Sequence, residues 1–317
     1  MIDKSIIGLV GPEFEVPIEL GHLRTFAKSV GALLPEYIKE KQAIIPPTFL
    51  LMSAYFWGYL LERPGSTPLA GLNVRHSLDA GQSFTFYGPL PRVGETLIAC
   101  TEVEDVWQKQ GRNGGQLTFY KMLTRFCDPV SGTLRVAWRP VSVVVSQAPT
   151  EAAAQVDLGT KRPFYDRNEP REQLMVVPRQ SWDELVVGEG QTAVAMPALT
   201  LTDVARYAFA SGEDGAAHYD DAAARAASYP SWFSIGMYHA GLLATYAVQW
   251  LGPDNIRHFE ARFNDMIWPG DVLTYSGLVA NKRIENDERL IDLTLRCERA
   301  GKLVTSAKAT FCLTEYS

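Results

Sequence analysis

The 317-residue chain carries 30 basic and 36 acidic side chains for a formal net charge of −6, with 46% hydrophobic and 21% charged residues. That length holds two ordinary domains, and the composition excludes a chain left unfolded for want of apolar surface to bury. The acidic balance gives no basic footprint for a nucleic-acid backbone or an anionic membrane surface, so neither is an expected partner.

From its start, Met1-Ile2-Asp3-Lys4 runs to Gly11-Pro12-Glu13 without the apolar stretch of a secretory signal, and the expected location is the cytoplasm. Leu20 to Gly31 reads as a short amphipathic helix closed by glycine. A long apolar helix is expected over Thr48 to Leu61, shorter than the roughly 20 residues of a bilayer span. Strand-like runs follow at Gln82 to Tyr87, Thr96 to Trp107, Gly115 to Cys127 and Leu134 to Val145, rich in Val, Thr and aromatics. Residues 1–146 therefore form a first domain. Residues 147–180 are rich in Ala, Pro, Gln and charge and read as a connector, with Pro163-Phe164-Tyr165 able to pack on either side.

The second domain, residues 181–317, repeats the order of the first. Leu201 to Gly212 lines up with Leu20 to Gly31 at a spacing of 181 residues, and Gly270-Asp271-Val272-Leu273 echoes Gly94-Glu95-Thr96-Leu97. Gly236 to Leu251 is a second long apolar helix. Strands are expected at Arg257 to Asn264, Asp271 to Ile284, Glu288 to Arg299 and Lys302 to Leu313, with hairpin turns at Glu285-Asn286-Asp287 and Ala300-Gly301. Cys100, Cys127, Cys297 and Cys312 have no metal or dithiol spacing, and His22, His76 and His258 sit apart, so no metal site is read.

Chemistry concentrates in Ser211-Gly212-Glu213-Asp214-Gly215-Ala216-Ala217-His218, between two helical stretches. A carboxylate and an imidazole on one loop can share a cleft, one handling water and the other a proton. A solvated acidic loop with His218 capping the next helix would produce the same pattern. Equally, Gly236 is either a close-packing glycine or a helix-start N–H donor.

These residues resemble the MaoC-like, (R)-specific enoyl-CoA hydratase (hydratase 2) family. The family pattern of an aromatic, Ser-Gly, then Asp-x-Asn-Pro-[LIV]-His falls on Tyr207, Ser211, Gly212, Glu213, Gly215, Ala216, Ala217 and His218. Ile45-Pro46-Pro47-Thr48-Phe49 and Pro91 to Leu97 resemble the N-terminal dehydratase-like half. The resemblance implies an α+β tandem (double) hotdog, each half a central helix wrapped by an antiparallel sheet, the sheets joined side by side. It implies Glu213 or Asp214 with His218 as the acid-base pair and the Gly236 N–H as the oxyanion donor. Tyr207, Ser211, Met237 and Phe49 are expected to meet substrate.

Two departures stand out. Glu213 replaces the family Asp, and Ile235-Gly236-Met237 keeps the glycine of His-Gly-Met without the histidine. In the first repeat Tyr37 stands where the spacing calls for the histidine, so that half is expected to bind the acyl chain instead. The implied reaction is addition of water to a trans-2-enoyl thioester, or its reverse. No metal or redox cofactor is needed, and coenzyme A or a carrier-protein phosphopantetheine arm is part of the substrate. A monomer or a homodimer of fused pairs fits equally. Two rival readings are a hotdog thioesterase, with Glu213 activating water toward the carbonyl carbon, and a non-catalytic acyl-thioester-binding subunit. Phe49, Tyr55, Phe56 and Trp57 form an aromatic group that lines either a pocket or plain core, His239 is a core histidine or a second imidazole near the site, and Arg75, Arg92, Arg262 and Lys282 are scattered cations.

Overall fold

The computed structural model describes residues 4–58, 60, 77–111, 115–145 and 175–313. Leu61, Arg75, His76 and most of the connector, including Pro163-Phe164-Tyr165, lie outside the described residues.

The first half runs β1 (Phe14–Pro17), α1 (Leu20–Ser29), α2 (Pro35–Ile38), a 3-10 turn (Phe49–Met52), α3 (Ser53–Phe56), β2 (Leu78–Phe86), β3 (Thr96–Gln110), β4 (Gln116–Cys127) and β5 (Leu134–Val145). The second runs β6 (Val194–Ala195), α4 (Leu201–Ser211), a 3-10 turn (Ala216–His218), α5 (Asp221–Ala226), α6 (Gly236–Leu251), β7 (Ile256–Phe263), β8 (Leu273–Glu285), β9 (Glu288–Arg299) and β10 (Lys302–Cys312). The expected α+β order therefore appears twice. Asn286 and Asp287 (φ 49° and 64°) close the β8–β9 turn, and Ala300 and Gly301 (φ 48° and 79°) the β9–β10 turn. Paired positive φ values match the right-handed twist of the strands they join.

All ten strands form one antiparallel sheet in the order β1-β3-β4-β5-β2-β7-β10-β9-β8-β6. The halves meet at β2 and β7, where Phe84 pairs with Phe259 and Thr85 with His258. His258 serves this seam, its Nδ1 2.9 Å from the Thr85 hydroxyl. The outermost strands are short, four residues for β1 and two for β6.

Repeat symmetry holds for the flanking helices, since α1 and α4 pack on each other and each ends near a glycine of positive φ, Gly31 at 65° and Gly212 at 81°. It breaks at the central helix. Helix α6 is apolar around its circumference and lies against β7, β8, β9 and β10, as an enclosed helix must. Its first-half counterpart, expected over Thr48 to Leu61, is instead the turn Phe49–Met52 followed by the single turn α3. The cause is local. The Ser53 hydroxyl donates to the Leu50 carbonyl at 2.7 Å, and the Gly58 N–H closes back on the Ser53 carbonyl at 2.7 Å, ending the helix. Among the described residues no helix is long and apolar enough to cross a membrane.

Candidate active site

Helix α4 delivers the loop of Glu213 and His218. Thr200 caps its start, the hydroxyl accepting from the Asp203 N–H at 3.4 Å while the Asp203 carboxylate accepts the Thr200 N–H at 2.8 Å. Such a cap contributes about 1 kcal/mol. At the other end Gly212 turns the chain left-handed, and a Cβ there would lie 2.8 Å from both the Phe56 ring and Tyr55 Cβ. The loop that follows is thus pressed against α3 of the first half.

That contact sets the two carboxylates apart. Glu213 points inward: one oxygen accepts the Tyr55 hydroxyl and the other the Gly215 N–H at 3.2 Å. Its own N–H donates to the Ser211 hydroxyl at 3.3 Å. Asp214 is exposed, and its carbonyl accepts the Tyr219 hydroxyl at 3.0 Å.

His218 faces Glu213 across Gly215. A Cβ at residue 215 would sit 3.0 Å from the Glu213 Oε1 atom, 3.1 Å from His218 Cδ2 and 3.6 Å from Nε2, so a larger residue would intrude between acid and base. The Nδ1 of His218 lies 3.0 Å from the Phe233 carbonyl, which can only accept; Nδ1 therefore carries the proton and Nε2 presents its lone pair. Burial lowers the His218 pKa, opposed by the Glu213 charge and by the Phe233 carbonyl. Burial thus favours the neutral imidazole.

The same bond ties His218 to the segment entering α6. Gly236 begins that helix, Ile235 supplies no side-chain cap, and a first-turn N–H has no intrahelical partner. A Cβ on Gly236 would meet the Phe263 ring at 2.9 Å, so the glycine is required by packing as well.

The expected substrate contacts divide. Tyr207 is fully buried, its hydroxyl beside the Ser211 side chain. Ser211 is buried beneath Glu213, donating to the Ala208 carbonyl at 3.4 Å. Met237 and Phe49 are core residues, Phe49 meeting Phe26 edge-on with centroids 5.5 Å apart. His239 is a core histidine held by side chains, Nδ1 2.7 Å from the Tyr275 hydroxyl and Nε2 2.7 Å from the Ser234 hydroxyl, and burial pushes it down to about 3. Arg92 pairs with Asp254 at 3.3 Å, Arg262 with Glu260 at 3.5 Å, and Lys282 donates to the Trp182 and Leu185 carbonyls.

Two groups escaped the sequence reading. Tyr55 counted only as one of an aromatic group, yet it holds Glu213. Asp79 at the head of β2 lies in the field of Glu213; burial first, then that charge, raises it to about 7. The one local clue to Asp79 was Gly81, a mark of the bulge beside it.

Residues 5–129 match the family model for the FAS1-like dehydratase domain region, and residues 185–297 that for the MaoC like domain. No curated protein matches the chain. A solved MaoC-like dehydratase superposes with a TM-score of 0.74 at 16% identity, covering 98% of this chain and 99% of that one. A MaoC-like dehydratase from Phytophthora capsici gives 0.62 at 15% identity with 96% of each chain covered. A Mycobacterium tuberculosis protein described as a double hotdog fold gives 0.60 at 14%, again with 96% of each chain covered. The tandem hotdog architecture expected from the sequence is thereby established.

Proposed function

The chain joins a FAS1-like dehydratase domain region to a MaoC-like domain, and from that premise we propose that it is an acyl-thioester hydratase or dehydratase acting on a trans-2-enoyl-CoA or its 3-hydroxyacyl counterpart. The pairing of Glu213 with His218 across Gly215, its Nδ1 spent on the Phe233 carbonyl, is the observation that carries this reading.

In the hydration direction Glu213, fixed by Tyr55 and Gly215, orients a water molecule. His218 Nε2 takes one water proton as the oxygen bonds to C3, and the C2=C3 π electrons pass into the thioester as an enolate. The Gly236 N–H donates to the enolate oxygen; one such donor is typically worth about 3 kcal/mol. Collapse of the enolate takes the proton from His218 to C2. One water is added, and the imidazole ends neutral as it began. The first half, without an imidazole at Tyr37, contributes Tyr55 and the acyl-binding surface.

The test follows the product. With crotonyl-CoA and longer trans-2-enoyl-CoAs, enoyl absorbance is expected to fall with no free thiol released, and His218→Ala to lower kcat/KM by roughly 10² to 10⁴. Release of free thiol would identify a thioesterase. Equal rates for the protein and its His218→Ala variant would leave an acyl-thioester-binding subunit.

A further inference from the structure

Residues 231–235 are buried, yet they form neither helix nor strand. A buried irregular segment must find a partner for each backbone group it takes out of water, and here the partners come from several elements. At its start the Asp221 carboxylate on α5 accepts the Ser231 hydroxyl at 2.7 Å and the Trp232 N–H at 3.0 Å. At its end Ile235 runs into Gly236 and helix α6. Between the two lies the Phe233 carbonyl that orients His218.

That carbonyl belongs to the same peptide unit as the Ser234 N–H, which donates to the Ile267 carbonyl at 2.8 Å. Donation on one side of a peptide unit polarises it and strengthens its carbonyl as an acceptor on the other. The side chain of Ser234 anchors the unit from a third direction, its hydroxyl 2.7 Å from the Nε2 of His239. His239 in turn is tied to β8, with Nδ1 2.7 Å from the Tyr275 hydroxyl and the two rings stacked at 15°. A neutral imidazole donates through one nitrogen and accepts through the other, and a hydroxyl can take either part. Burial keeps His239 in that neutral form.

Packing alone does not call for this chain of polar groups. Apolar side chains of similar shape at the three positions would leave no group unpaired and would cost little stability. What the chain adds is direction. Ser234 stands between Phe233, which holds the His218 imidazole, and Gly236, whose N–H opens α6, while His239 sits one turn into that same helix. One side-chain hydrogen bond therefore ties the base and the main-chain donor to a common support.

Resting on the hydratase reading, we propose that His239 is a positioning residue: through Ser234 it sets the Phe233 carbonyl, and with it the His218 imidazole, at a fixed place relative to the Gly236 N–H. His239 acts through these neighbours and not on the reacting atoms. Its loss is expected to leave thioester binding in place and to misalign proton transfer, and misplacing a catalytic group by about 1 Å can cost on the order of 10²-fold.

The experiment sets Ser234→Ala, His239→Leu, their double variant and His239→Gln beside Leu243→Ala, a cavity cut into the buried face of α6 two turns beyond Gly236. With trans-2-enoyl-CoAs, kcat is expected to fall about tenfold or more in Ser234→Ala and His239→Leu while KM stays within about threefold. The double variant is expected to match the worse single one, since both cut the same link, and His239→Gln, which keeps a donor and an acceptor, to recover part of the loss. Leu243→Ala is expected to lower the melting temperature at least as much and to keep kcat within about twofold. Ser234→Ala removes a single oxygen, so it carries the test if His239→Leu fails to fold. A second readout needs no turnover: nitrogen-15 NMR of the His218 ring is expected to show the proton on Nδ1 in the unaltered protein and a mixture of tautomers in both single variants. A kcat that falls no further than in Leu243→Ala, or a His218 tautomer the same in all the proteins, overturns the proposal. Should no enoyl-CoA turn over, the hydratase reading fails by itself, and the His218 spectrum alone then tests the role of His239.

Discussion

The loops after α1 and α4 start from one design and finish differently. Each leaves its helix through a glycine of positive φ and enters a short helical turn, Pro35–Ile38 in one half and Ala216–His218 in the other. In the first, the residue at the histidine position is Tyr37, fully buried, its hydroxyl without a partner and its pKa driven well up by burial. In the second it is an imidazole with a committed Nδ1 and a carboxylate opposite. The backbone frame is therefore generic. The difference lies in the side chains placed on it and in a neighbour, Tyr55, that the other half supplies.

The most severe way to break the contrast is to erase it. His218→Tyr makes the second loop resemble the first and is expected to lower kcat/KM by roughly 10² to 10⁴, while circular dichroism and thermal melting report an intact fold.

Titration should also separate the halves, with opposite signs. Folded His239 stays neutral down to about pH 3, whereas an unfolded imidazole protonates near 6.5. Between those values the unfolded chain binds the extra proton, so stability is complete above about pH 6.5 and lost as pH falls toward 3, by up to about 5 kcal/mol. Folded Asp79, raised by burial and by the Glu213 charge while the Gln82 amide donates to it, binds its proton up to about pH 7 against 3.8 as the ordinary value. Its contribution is complete below about pH 4 and lost as pH rises through 7, worth about 2 kcal/mol once its partial exposure is discounted. Urea midpoints from pH 4 to 8 should therefore decline less with rising pH in Asp79→Asn than in the parent.

The smallest effect sharpens the comparison at its hinge. Gly31→Ala and Gly212→Ala each force alanine into a left-handed conformation, costing about 1–2 kcal/mol in thermal unfolding. At residue 212 the added methyl also meets Tyr55 and Phe56, so only that variant should lose turnover as well as stability.

Local pattern carried much of this architecture. β5 and β9 match their expected bounds, and β8 and β10 differ by one or two residues at an end, because alternating residues and two-residue turns are written in adjacent positions. β1 was not anticipated, being four residues ending in proline, nor was the two-residue β6. The first central helix was overread: apolar periodicity over Thr48 to Leu61 does not register a serine hydroxyl turned back on its own helix. Glu213 and His218 were legible as neighbours on one loop. Tyr55 and Asp79 were not, since each lies more than a hundred residues from Glu213 in sequence and reaches it only after the two sheets have joined.

The β2–β7 seam has a further consequence. In an assembly of two identical subunits every substitution is made twice, so a change that improves one copy for binding damages the other for chemistry. Welding the copies through paired strands of a single polypeptide removes that coupling while keeping the shared sheet. Each half can then vary on its own, as Tyr37 and His218 do at matching places.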